Sequence, residues 1–436
     1  MDSLAEIERA VLRLDAWLDT MRTPEGYGGP VAHWWQDCLH FTGAGLDWRY
    51  EGIILGYLNL YERTGERRWL AKARRAGDDL LRGQLASGNY RNSSFELNPY
   101  TGGTPHEAAC DLALLCLAGV LRKLGESAWE GYLLAAEHNL REYHVGRLWK
   151  DEIQGFGNSA DNPAFTPNKS ATIVEALFAL AELQGDEELL ERYALPTLRT
   201  ILGHQIEAPG QRLDGAIDQN SLAGRMGHRY FPLYNARCIP SLLKGYEYTG
   251  DERYRDAAWR AMSFIQRTRH PDGSFPQVVY RNGKINRYPM WIAGAGDLLR
   301  AMRLASISGM AVSEEDTLRW MLLGQDETGG VRTAFGFSAQ VNQRTCGEAP
   351  EFRDLLPVCG WVDKAFRFLT SSIQGDVELP DTTTATTKLG CLFQGRRAEY
   401  REDPTSMELE VDGRAVYRYL KGATWAEVHP WGRGIP

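Results

Sequence analysis

Two short stretches of this chain carry acids at a spacing that could do chemistry. Asp47 and Glu51 are four residues apart, and so are Glu107 and Asp111. On a helix such a pair projects from one face. Both pairs also stand in the same relation to a downstream glycine. Glu51 and Asp111 lie fourteen residues before Gly65 and Gly125, and Asp47 and Glu107 lie eighteen before the same glycines. Two adjacent helices would then present four carboxylates at matching depth. Their repulsion is relieved if one stays protonated or a cation binds. A protonated carboxyl beside a second group that activates water is what glycosidic cleavage needs. Glu51 and Asp111 are the first candidates, because an acid inside an apolar run costs free energy unless it is paired or functional. Asp47 and Glu107 come second, since first-turn acids also serve simply to stabilise a helix start. Trp48, Tyr50 and the pair Trp34-Trp35 would form an apolar wall that raises a nearby carboxyl's pKa. The other outcome for Glu51 and Asp111 is a buried pairing with an arginine. No metal site is assigned and no organic cofactor is implied; a divalent ion bridging the four acids is the inorganic alternative.

A second group would position substrate. The run His228-Arg229-Tyr230-Phe231-Pro232-Leu233-Tyr234-Asn235-Ala236-Arg237 gathers His, Tyr, Asn and Arg at a helix start. Arg237 suits a carboxylate on an anionic substrate; the other outcome is that it pairs with an acid across the ring while Tyr230 and Tyr234 pack. Arg287 with Trp291, and Lys169 beside Asn168, open two further helices. His228 with Tyr230 or Tyr234 offers proton abstraction as a different chemistry.

These residues need a scaffold, and an internal repeat supplies it. Tyr61-Glu62-Arg63-Thr64-Gly65-Glu66-Arg67-Arg68-Trp69 recurs as Tyr246-Glu247-Tyr248-Thr249-Gly250-Asp251-Glu252-Arg253-Tyr254, with weaker copies around Gly125 and Gly185. Each glycine closes an apolar helix with a left-handed cap, and acids then open an amphipathic one. Apolar segments near 47–64, 106–124, 169–184, 229–249, 288–308 and 356–373 read as buried helices. Charged ones near 4–22, 67–84, 127–146, 187–205, 251–268 and 313–324 read as an outer layer. Long Gly- and aromatic-rich loops lie on one side and short turns on the other. That is an all-α closed ring of six hairpins, an (α/α)6 toroid, over residues 1–375. Residues 376–436 form a small tail, where Asp412-Gly413 between two alternating runs signals a β hairpin.

With its Y-E-x-T-G-(D/E)-x-R-(Y/W) turns and D-G-S-F-P type loops, the chain resembles the toroids of the six-hairpin glycosidase superfamily over about residues 4–374. Its members include unsaturated glucuronyl and rhamnogalacturonyl hydrolases; related toroids include polysaccharide lyases, sugar epimerases and terpenoid cyclases. The resemblance implies an enzyme cleaving a glycosidic bond of a short anionic oligosaccharide in the central cavity. A lyase or epimerase using His and Tyr, or a cyclase, are the alternatives, although the cyclase motif D-x-D-D is missing.

Composition sets the outer bounds. With 43% hydrophobic and 24% charged residues, 436 residues are enough for a large buried core. A net charge of −8 argues against a nucleic-acid partner. No run approaches the roughly 18 apolar residues of a membrane span, and the start of the sequence lacks the pattern of a secretory signal, so the expected location is the cytoplasm. Seven scattered cysteines without a C-x-x-C pair exclude the usual zinc ribbon.

Overall fold

The computed structural model describes residues 3–30, 44–93, 103–336, 352–374, 385–393 and 396–428. Within them, twelve helices build two concentric layers. The inner ones are α2 (Arg49–Thr64), α4 (Ala108–Lys123), α6 (Pro167–Gln184), α8 (Pro232–Thr249), α10 (Ala295–Ile307) and α12 (Cys359–Thr370). The outer ones are α1 (Ser3–Thr20), α3 (Arg67–Gly83), α5 (Trp129–His138), α7, α9 (Glu252–Thr268) and α11 (Glu315–Leu322). Helix α5 continues as a π-helical segment, Asn139–Leu148. Helix α7 is assembled from Glu187–Leu189, a π turn at Leu190–Ala194 and Leu195–Gly203.

Inner neighbours touch in chain order, and α12 packs back against α2. This is the expected (α/α)6 toroid. The hairpin glycines act as read: Gly65, Gly185 and Gly250 cap α2, α6 and α8 in the left-handed conformation, each N–H closing on the carbonyl four residues back. The sixth inner helix finds its outer partner at the other end of the chain, where α1 lies against α12.

Late starts of the fourth and fifth inner helices leave expected site residues outside them. The fourth begins at Pro232, whose fixed φ suits a first helical position, so His228, Arg229 and Tyr230 precede it. Arg229–Tyr230 is a strand paired with Val279 and Tyr280. The fifth begins at Ala295, not near 288. Its expected first turn is taken by the strand Met290–Trp291, paired with Ala334–Phe335, and the Tyr288–Pro289 bond is cis. Backbone groups committed to that ladder cannot also enter a helix.

The tail is a meander of five antiparallel strands, β1 (Thr387–Phe393), β2 (Arg396–Glu402), β3 (Ser406–Val411), β4 (Arg414–Leu420) and β5 (Glu427–Val428). Asp412 and Gly413 both have positive φ, as the tight turn between β3 and β4 requires. Met407, Leu409 and Val411 alternate into a buried face. Buried Glu402 accepts hydrogen bonds from Trp17 Nε1 at 2.9 Å and Thr328 Oγ1 at 3.0 Å, which seats the sheet on α1 and a mouth loop. Residues 376–384 and 429–436 of the expected tail lie outside the described residues.

The ring's seam is tight. A Cβ on Gly52 of α2 would come within 2.2 Å of the Asp363 carbonyl oxygen, and one on Gly296 of α10 within 2.2 Å of the Lys364 carbonyl oxygen. Helix α12 is thus gripped at backbone distance from both sides. We expect Gly52→Ala and Gly296→Ala each to cost about 1–3 kcal/mol in denaturant unfolding, because rigid backbone must move. Gly119→Ala in α4, whose Cβ would sit 3.7 Å from Leu183, should instead gain about 0.4–1 kcal/mol. Equal effects at all three positions would contradict this packing.

Candidate active site

A cavity of about 160 Å³ opens at the amino ends of the inner helices. Trp48 and Glu51 reach it from α2, Ala109 from α4, and Asn168, Lys169 and Thr172 from α6. Leu233, Tyr234 and Arg237 come from α8, Asp297 from α10, and Trp361 and Lys364 from α12. His106, just before α4, and Gln219, in the loop before α8, complete the wall with Thr166.

Its floor is ionic. The two guanidinium nitrogens of Arg237 hold Glu51, with contacts at 3.1 Å, and its Nη2 also donates to Thr172 Oγ1 at 2.9 Å. Arg367 of α12 donates to both Glu51 and Asp297. Arg237 approaches Asp297 at 3.6 Å. Burial alone would raise the Glu51 pKa, but Arg237 and Arg367 outweigh it and hold the carboxyl well below the usual range. Glu51 is therefore an anion with fixed partners. Arg300 and Glu175 pair beside this group, adding a second link between α10 and α6.

One arc of the wall is aromatic. Trp291 stacks on Trp361 with centroids 4.3 Å apart; Trp361 lies 5.9 Å from Trp48, and Trp48 4.8 Å from the His106 ring. Burial lowers the His106 pKa well below its usual value, and the positive charges of Lys169, Lys364 and Arg237 push it the same way. The imidazole is neutral at pH 7. Lys364 Nζ pairs with Asp363 at 2.8 Å and lies 5.7 Å from the Trp48 ring centroid. Asp363 itself is raised to about 7 by burial, against the pull of Lys364.

The four acids do not come together. Glu51 faces the cavity, whereas buried Asp47 is clasped by Arg49, with Nε to Oδ1 at 2.8 Å. Glu107 and Asp111 point outward, between α4 and the π segment. Glu107 accepts from Ser93 Oγ and the Gly103 N–H. Asp111 accepts from Tyr90 Oη at 2.8 Å and Asn139 Nδ2 at 3.0 Å, with His144 Nε2 at 3.5 Å. The glycine alignment is one residue out of phase. The lumen stripe reads Trp48, Glu51, Leu55 on α2 but Ala109, Leu112, Cys116 on α4. One residue is about 100° of helix rotation. The turns differ as well: Gly65 closes on Tyr61, whereas after α4 it is Glu126 N–H that closes on Leu121. Among the described residues, no group of three or more His, Cys, Asp or Glu is placed to hold a metal ion.

Of the residues expected to hold substrate, Trp48, Lys169, Tyr234 and Arg237 line the cavity, and Trp291 backs Trp361. The others do not reach it. Buried Asn235 clamps the preceding loop, accepting from the Ile217 N–H at 2.6 Å and donating to its carbonyl at 3.0 Å. His228 adopts positive φ and its backbone N–H donates to Asp218 at 2.7 Å. Tyr230 is buried, and Arg287 lies over Tyr288. Trp34 and Trp35 lie outside the described residues. His106, Trp361, Lys364 and Asp297 are lining residues that sequence reasoning passed over. His106 could have been found as the side chain beside Glu107 in the Pro105-started turn that precedes α4. The others lacked a signal, because α10 and α12 carry no hairpin motif to align.

No family model and no curated protein matches the sequence. Solved structures do match the fold. D-mannose isomerase is similar over 85% of this chain and 97% of its own, with 13% identity and a TM-score of 0.61. Cellobiose 2-epimerase from Bacillus thermoamylovorans covers 85% and 99%, at 14% identity and 0.60. An unsaturated glucuronyl hydrolase specific for heparin covers 84% and 95%, at 13% identity and 0.59. The chain thus shares the (α/α)6 fold of these solved structures.

The acids behind α4 make a prediction about stability. Burial raises Glu107 to about 8 and also raises Asp111. An unfolded chain releases the Glu107 proton near 4.5, while the folded chain keeps it up to about 8. Stability from this group is therefore complete below pH 4.5 and lost as pH rises toward 8. Denaturant midpoints of Glu107→Gln should fall less than those of the native chain between pH 5 and 8. Parallel curves would show that Glu107 ionises normally.

Proposed function

We propose that this toroid, built like the six-hairpin glycosidases, binds a saccharide in its amino-end cavity and moves a proton at a carbon next to a carbonyl. That is the work of a reducing-sugar isomerase or epimerase. The observation that carries the reading is the placement of His106 in a wall that also holds Lys169, Lys364 and Arg237, where burial lowers its pKa and leaves the imidazole neutral. A neutral imidazole accepts a proton. When it takes one from C2 of an open-chain aldose, negative charge develops on the carbonyl oxygen, and nearby cations stabilise it. Return of that proton from His106 to C1, with the O2 hydroxyl proton passing to O1, gives the ketose; inversion of C2 requires a second group that delivers a proton from the opposite face. No external oxidant or reductant is involved.

Glycosidic hydrolysis, the activity first expected, calls for a carboxyl that can donate a proton. The described carboxylates lining this cavity, Glu51 and Asp297, are both gripped by Arg367 and Arg237. That arrangement favours a fixed electrostatic floor over a proton donor. The structural neighbours include both kinds of enzyme, so the choice rests on the site.

His106→Gln should lower turnover of D-mannose or cellobiose by about 10²–10⁴-fold, with product followed by chromatography. Full turnover in that variant would remove His106 from the chemistry. The native kcat/KM should also stay level from pH 7 to 6, because His106 is already neutral there. An ordinary imidazole would show a roughly threefold fall over that interval.

A further inference from the structure

Three residues that line the cavity carry buried polar atoms that nothing in the described structure satisfies. Asn168 Oδ1, Gln219 Oε1 and Trp361 Nε1 are buried and without a hydrogen-bond partner among the described residues, and all three side chains line this cavity. A buried polar group left unpaired costs free energy, so three in one small cavity point to a ligand that completes them. Two are acceptors and one is a donor. The lining cations, in contrast, are already engaged. Arg237 holds Glu51, Lys364 pairs with Asp363, and Lys169 Nζ donates to Asn158 Oδ1 at 2.8 Å. An anionic ligand at Arg237 or Lys364 would have to displace a carboxylate, and its oxygens would face two amide oxygens.

We propose that the cavity selects an uncharged, hydroxyl-rich sugar ring. This rests on the saccharide reading above and replaces the anionic substrate expected from the sequence. Two sugar hydroxyls donate to Asn168 and Gln219, and a sugar oxygen accepts from the Trp361 indole N–H. The cavity volume is below the roughly 300 Å³ lower bound of sites for drug-sized ligands, so the enclosed part takes one ring. A longer saccharide extends through the mouth.

The test is binding, separate from turnover. The native chain, Asn168→Leu, Asn168→Asp and Gln219→Leu would be titrated by calorimetry with D-mannose, D-glucose and cellobiose, and with D-glucuronate and D-glucose 6-phosphate. Unfolding midpoints would verify that each variant is folded. The neutral sugars should bind at least about tenfold more tightly than the anions. Each leucine variant should weaken neutral-sugar binding by about three- to tenfold. Asn168→Asp keeps an acceptor and should stay within about twofold for neutral sugars while binding the anions less. Tighter binding of either anion, or neutral-sugar affinities unchanged in both leucine variants, would overturn the proposal and leave the saccharide site standing. Absence of binding by every sugar would overturn both.

Discussion

The lumen of this ring is bridged by buried charge, and the rest of the site follows from that. Glu51 on α2, Arg237 on α8, Asp297 on α10 and Arg367 on α12 form one network, with Thr172 tying in α6. Ions removed from water need close partners, and stripping one from a buried pair costs about 3–5 kcal/mol. Each member therefore constrains where four inner helices can stand. The network divides the lumen. Above it lies the cavity with His106 and the tryptophans. Below it, Leu55, Cys116 and Phe178 line a separate depression at the hairpin ends.

The same pairing decides the chemistry available above the floor. Glu51, tied to two guanidinium groups, stays ionised, and burial, with the positive charge near the cavity, keeps His106 neutral. Under the proposed function the proton acceptor is therefore the His106 imidazole and not an acid. The aromatic arc from Trp291 through Trp361 and Trp48 forms a flat apolar wall on one side. Backbone-distance contacts at Gly52 and Gly296 hold α12, and with it Trp361, Lys364 and Arg367, against α2 and α10.

Much of the fold was legible because it is local. Helix-ending glycines, acids opening the next helix and apolar periodicity placed nearly every helix to within a few residues, and the Asp412-Gly413 turn announced the β tail. The two late helix starts were not legible, because the ladder between Met290–Trp291 and Ala334–Phe335 is a long-range pairing that competes with helix. The site was half legible. Glu51, Trp48, Lys169, Tyr234 and Arg237 line the cavity, and a buried arginine partner for Glu51 was one of the expected outcomes, but spacing along one helix could not say that Arg237 and Arg367 both reach it. Asp111 and Glu107 turned outward because two similar turns differ by one residue of phase, and the π segment supplies Asn139 and His144 to receive Asp111.

The central claim is that a proton on the sugar is exchanged in this cavity. It is tested most directly by incubating the native chain with D-mannose or cellobiose in D2O and following the C2 proton by NMR. The account predicts loss of that signal as deuterium enters C2, at a rate proportional to the protein added. A sugar that is bound or cleaved with its C2 proton fully retained would contradict it.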